Sequence, residues 1–167
     1  MACPSPNRLP CQPLVFPAQR PAKGFTLVEL VVTVAIILTL CAIAVPNFLD
    51  ALQEAKIARA IGDIHAIGNE VQAYELLNEK FPDTLVDIGY GGRLDPWGTP
   101  YQYLNFAKVK GKGAMRKDRF LVPINSFFDL YSMGPDKASV PPLTAKQSQD
   151  DIIWANDGDF VGTAANF

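Results

Sequence analysis

Histidine is almost missing from this chain: of 167 residues, only His65 is one. A histidine metal triad, or a serine or cysteine nucleophile served by an imidazole base, therefore lacks its parts, and a lone helical histidine is most often structural or merely exposed. Cysteine is scarce as well. Cys3, Cys11 and Cys41 are the three present, so no internal disulfide can form beyond residue 41. Charge is missing over residues 25–45, where Glu29 is the only ionised side chain. As a helix rising about 1.5 Å per residue this stretch spans roughly 31 Å, the thickness of a bilayer core, and a membrane helix is expected. A carboxylate in such a segment costs about 2.5 to 3.5 kcal/mol, so Glu29 asks for a partner.

A secretory signal would also be apolar, with Arg8, Arg20 and Lys23 as its positive region and Ala42-Ile43-Ala44 as its cleavage site. The apolar run is too long for that reading, carries Glu29 and follows a proline-rich leader. Those three cations are the only charges before Phe25, so 12 of the 15 basic residues face 17 acidic ones in the rest, a formal charge of −5 where the whole chain has −2. Such an acidic product is not a generic nucleic-acid binder. About 120 residues follow the apolar run, enough for one domain and too few for two.

Pro46 removes a backbone hydrogen bond and is expected to kink the helix. Beyond it Ile57, Ile61, Ile64, Ile67, Val71, Tyr74, Leu77 and Phe81 recur at spacings of three and four between charged residues, which predicts an amphipathic helix. Gly62 and Gly68 weaken that helix unless each permits close packing, and close packing is the expectation for both. The helix should stop near Lys80, ahead of Pro82. A glycine- and proline-rich connection then leads to a strand at residues 101–104, with Trp97 as an apolar plug against the helix. Further strands are expected at 120–122 and 126–132, and Asp157-Gly158-Asp159 reads as a surface turn.

Two segments carry potential chemistry. Residues 108–119 hold six basic side chains and one acid, the one basic patch on an acidic protein. Anionic lipid, DNA or an acidic face of a neighbouring subunit could answer it, and so could solvent alone. No aromatic residue lies inside it for base stacking, which disfavours nucleic acid. Ser132, Asp136, Asp150 and Asp151 gather oxygen donors on irregular backbone, the chemistry of a hard cation such as calcium. Solvated loop acids, with Asp150 capping a helix, would look the same. Adjacent acids in a loop say nothing of the spacing glycoside hydrolysis needs, and no catalytic constellation is complete.

The run Gly24-Phe25-Thr26-Leu27-Val28-Glu29, followed by the long apolar stretch, resembles the processing site of type IV pilins and of the pseudopilins of type II secretion. Asp95-Pro96-Trp97-Gly98-Thr99-Pro100-Tyr101 resembles a motif of the major, G-type pseudopilins, and Asp129-Leu130-Tyr131-Ser132, Gly134 and Asp136, followed by Asp150-Asp151-Ile152, resembles their calcium loop. The resemblance implies an α+β pilin-like fold, a long kinked N-terminal α-helix packed on a small antiparallel β-sheet with long loops. Residues 1–24 would be a leader cut off by a prepilin peptidase after Gly24, with Phe25 then N-methylated. Residues 25–46 would form the membrane and filament-core helix, and 47–167 the amphipathic helix and periplasmic head. Glu29 would pair with the Phe25 amine of a neighbour, since a buried charge pair is tolerable where a lone buried charge is not. Calcium would be held by the Leu130 carbonyl, Ser132, Asp136, Asp150 and Asp151, with either of the last two as the direct ligand. Lys137 stands where the family often has glycine. Partners would be identical and related pseudopilins in a helical filament, the peptidase, and an inner-membrane assembly platform with its ATPase. The implied role is a structural subunit of the secretion pseudopilus. A type IV pilin for adhesion or motility, or a non-polymerising calcium-binding module, are the alternatives.

Overall fold

The computed structural model describes residues 24–167. The expected leader up to Lys23, with Cys3 and Cys11, lies outside the described residues. One helix, α1, runs over Leu27–Asn78, 52 residues, with Pro46 inside it. The proline therefore does not end the helix: it removes one backbone bond, and the turns on either side continue. Glu79, with φ 56°, provides the left-handed residue that stops α1 ahead of the buried Pro82.

Residues 44–167 form one compact unit. Within it Ala60, Ile64, Ile67, Gly68 and Val71 are the buried residues of α1, at helical spacing. Leu77, expected on this stripe, is 84% exposed. Four short strands, β1 Gln102–Asn105, β2 Phe128–Ser132, β3 Ile152–Ala155 and β4 Phe160–Thr163, make an antiparallel meander in the order β1-β2-β3-β4. Phe128, Leu130, Ile152 and Trp154 on one face close over the stripe of α1. Ile153 and Ala155 on the other face pack with Ile124, Leu143 and Ala164 under the long connections. Because β3 is buried on both faces it shows no alternation in sequence.

Residues 120–122 do not form the expected strand. The chain there is a tight turn closed by backbone bonds between Asp118 and Leu121, and the sheet finds its remaining strands at β3 and β4 instead. Gly68 confirms close packing, because a Cβ there would lie 2.2 Å from the Trp154 ring, whereas at Gly62 nothing lies within 4 Å. Trp97 packs against the helix-facing core and donates its indole N–H to Gln53 on α1 at 3.4 Å.

Candidate functional site

At the start of the chain's described part, Gly24, Phe25 and Thr26 precede α1 and are exposed. Thr26 caps the helix: its hydroxyl accepts from the Glu29 N–H at 3.2 Å, while Glu29 Oε2 accepts from the Thr26 N–H and hydroxyl, both at 2.9 Å. This is a capping box, with Glu29 satisfying orphan donors at the helix start. Both bonds go to Oε2, so among the described residues Oε1 has no donor and stays open to an outside partner. From Phe25 to Leu52 the large apolar side chains are exposed, and the helix is long and apolar enough to cross a membrane.

In the head, the expected calcium ligands fall into different environments. Leu130 lies mid-strand in β2, paired with Tyr103 on one side and Trp154 on the other, so its carbonyl belongs to the sheet ladder and not to the loop. Ser132 is fully buried and donates to Asp95 Oδ2 at 2.5 Å while accepting from the Gly134 N–H. Asp95 also accepts from Trp97 N–H, Thr99 N–H and the Thr99 hydroxyl, which makes the 95–101 motif an aspartate-centred turn clamped to β2.

Asp151 is fully buried, and its Oδ2 accepts from Arg116 and from the Ser139 hydroxyl, the latter at 2.6 Å. Arg116 is itself buried. Its guanidinium also donates to Ser139 Oγ and the Val140 carbonyl and lies 4.0 Å from the Tyr131 ring centroid, while its backbone N–H donates to Asp129. The guanidinium therefore answers Asp151 Oδ2, while Asp151 Oδ1 is buried without a partner. Only Asp136 and Asp150 meet in the expected loop: the Asp136 N–H donates to Asp150 Oδ2 at 3.1 Å, and Asp150 Oδ1 is buried without a partner. Gly134, φ 66°, brings the two loops together, since a Cβ there would lie 2.4 Å from the Asp150 carbonyl. Lys137 takes φ 60°, the conformation that glycine adopts more cheaply.

Of the five expected ligands, Asp136 and Asp150 meet directly, Asp151 follows Asp150 with its own open oxygen, and Ser132 holds the Gly134 turn that packs on Asp150. Among the described residues, no group of three or more His, Cys, Asp or Glu is placed to share a metal ion. Calcium takes six to eight oxygens, and the adjacent Asp150 and Asp151 each present a buried oxygen, Oδ1, that has no partner.

Burial acts to raise the Asp95 pKa, but the bonds from Ser132, Thr99 and Trp97 outweigh it and hold the carboxyl below its ordinary value. Burial pushes Asp129 up. Asp151 is pushed up by burial to about 6, against the pull of Ser139 and Arg116. A folded-state pKa above the unfolded one means that the folded head takes up a proton first, so this group's stabilising contribution is full below about pH 4 and is lost as pH rises through about 6. The melting temperature should therefore rise on going from pH 7 to pH 5, and Asp151→Asn should flatten that rise. A melt that falls over the same interval contradicts this assignment.

The basic run does not present the single solvated patch its composition suggests. Arg116 is consumed by Asp151, Lys108 pairs with Asp83 at 3.1 Å, and Lys112 donates to the Val122 carbonyl. Sequence reasoning missed Arg116 because nothing distinguishes it from its basic neighbours. The Asp-Pro-x-Gly-Thr spelling around Asp95 was a readable turn signal, though not for the bond to Ser132.

Residues 19–45 match the family model described as the prokaryotic N-terminal methylation motif. The chain is 34% identical over 139 residues to the type II secretion system core protein G of Pseudomonas aeruginosa, covering 71% of this chain and 87% of that protein. It is 35% identical over 115 residues to the protein of the same name from Aeromonas hydrophila, covering 54% of this chain and 80% of that one. A fimbrial protein of Pseudomonas aeruginosa is 36% identical over 74 residues, 41% of this chain and 48% of that protein. No solved structure matches.

Proposed function

Because this chain belongs to the family of type II secretion system core protein G, the major pseudopilins, we propose that it is cut after Gly24, methylated at Phe25, and polymerised through α1 into the secretion pseudopilus. Its role is structural: it is a pseudopilus subunit anchored in a membrane by its one apolar helix before assembly. The observation that carries this reading is an apolar helix with exposed side chains starting directly after a glycine-phenylalanine junction and capped by Thr26 and Glu29. The fimbrial match covers under half of this chain, so the type IV pilin reading is weaker.

The membrane is the inner one and the head lies in the periplasm; the partners are identical and related pseudopilins, the prepilin peptidase, and the assembly platform with its ATPase. Once the leader is gone, the new Phe25 amine of one subunit meets Glu29 Oε1 of another, and the pair offsets the cost of placing either charge in the apolar filament core. Glu29→Ala should leave the chain in the membrane and abolish sheared filaments, while Glu29→Asp retains some. Filament yield for Glu29→Ala equal to that of the unaltered chain would remove the pairing.

Calcium in this reading would be held at Asp136, Asp150 and Asp151, with Asp150 Oδ1 and Asp151 Oδ1 as the open ligands, and would supply a charge that draws the 133–137 and 149–151 loops together. Its contribution is modest, because Arg116 already answers one of the two oxygens of Asp151. A chelator should lower the melting temperature of the head by a few degrees at most, about 1 kcal/mol or less. Asp150→Asn should erase that difference. A drop as large as complete unfolding would restore the full five-ligand cage.

A further inference from the structure

We infer that Phe120 is a knob that seats in an apolar groove on the head of a second copy of this chain, a contact that rests on the filament reading above. Phe120 is 102% exposed, so it touches nothing in its own subunit. Its presentation is fixed. The Asp118 and Leu121 backbones exchange bonds at 3.0 and 2.6 Å, which leaves Arg119 and Phe120 as the two tip residues of a closed turn. Arg119 is held at φ 44°. Turn tips of this kind ordinarily carry Gly, Asn or Asp, which adopt positive φ cheaply and leave nothing apolar in water. A phenylalanine beside a strained arginine spends stability on display of a large apolar group.

The groove lies between the end of α1 and the start of β2. Leu76, Phe81, Phe127 and Phe128 wall it, with Gln72 alongside, and it encloses about 320 Å³. Leu76 is 79% exposed and Phe127 54%, so its walls are open to an incoming side chain. Glu75 and Asp157 stand among its lining residues. Among the described residues the Asp157 carboxylate accepts only from the Ser126 N–H and hydroxyl, neutral donors that leave its charge unanswered. The turn carries the opposite net sign: Lys117 and Arg119 outweigh Asp118, and among the described residues no ion pair engages either cation. An aromatic tip next to Arg119, on a turn of net positive charge, thus matches an apolar groove lined in part by carboxylates.

Knob and groove are different surfaces, so the contact is heterologous, and a heterologous contact that does not close propagates into an open helical array instead of a two-fold dimer. That fits a filament subunit and gives part of the basic run a specific task that solvent alone would not.

The test uses the full chain with Cys41→Ser, leaving the processed product without cysteine, and adds Phe120→Cys together with Leu76→Cys. In cells that assemble filaments, oxidation should give a ladder of crosslinked multimers, absent from either single-cysteine chain and abolished by Glu29→Ala. Filaments that form without a ladder overturn the contact and leave the filament reading intact, whereas a wild-type chain that never forms filaments overturns the filament reading itself. Should the cysteine pair prevent assembly, Phe120→Asp gives a second readout: the melt of the head should be unchanged and filament yield should fall by roughly tenfold or more, the scale of one lost anchor residue. Undiminished filaments for Phe120→Asp, with reduced binding to vesicles of anionic phospholipid, would assign the turn to lipid and overturn the proposal.

Discussion

Arg116→Ala should destabilise the head by about 3 to 5 kcal/mol, up to the whole stability of a domain at the low end of the roughly 5 to 15 kcal/mol range. The cost arises because the substitution strands Asp151, which is fully buried and would keep only Ser139 as a donor. It also removes the guanidinium that joins three separate parts of the chain: the 107–127 connection, the ring of Tyr131 in β2, and the 133–151 loop through Ser139 and Val140. The ion pair itself is not the source of that stability. Replacing both partners at once, Arg116→Met with Asp151→Leu, should recover most of the loss, because apolar groups of similar volume avoid the desolvation that a buried pair suffers. Thermal and denaturant melts of the detergent-solubilised chain check both expectations. A single-variant loss under about 1 kcal/mol would mean that Arg116 is solvated and the buried assignment is wrong.

Gly68→Val should cost about 3 kcal/mol or more, while Gly62→Ala, six residues earlier on the same helix, should stabilise by up to about 1 kcal/mol. The two glycines look alike in sequence and differ entirely in surroundings. A Cβ at Gly68 would lie 2.2 Å from Trp154, and the ring has nowhere to go, since a Cβ on Gly158 would meet its other edge at 2.5 Å and Phe128 stacks at 6.1 Å. Gly68 and Gly158 clamp the tryptophan between α1 and the 156–158 turn, so added volume at either is felt as overpacking. At Gly62 the helix faces open space, and alanine simply improves propensity. Equal effects at the two positions would contradict this packing.

The elements that could be read from sequence were those whose periodicity comes from a single buried face. α1 announced itself through its apolar run and then through Ile64, Ile67 and Val71, and β1 and β2 through short apolar stretches after proline- and glycine-rich turns. β3 was hidden because Ile152, Ile153, Trp154 and Ala155 are buried on both sides and show no period. Phe120-Leu121-Val122 misled in the opposite sense: its apolar run belongs to an exposed turn, a placement that local composition does not encode. At the assembly site the glycine-phenylalanine junction and Glu29 were legible, since a lone acid in an apolar helix carries a physical demand; that Thr26 and Glu29 also cap each other follows from the same three-residue spacing. In the metal loop the residue types were legible and their partners were not. Ser132 and Asp151 are ordinary ligand types, and only folding brings Asp95 to one and Arg116 to the other.

The intact mass of the chain recovered from inner membranes, with and without a co-expressed prepilin peptidase, tests the central claim most directly. With the peptidase the account predicts a product beginning at Phe25 and carrying one added methyl group, and without it the uncut chain. A product beginning at Val45 under both conditions would mean an exported soluble protein without the apolar half of α1, and would contradict the filament subunit described above.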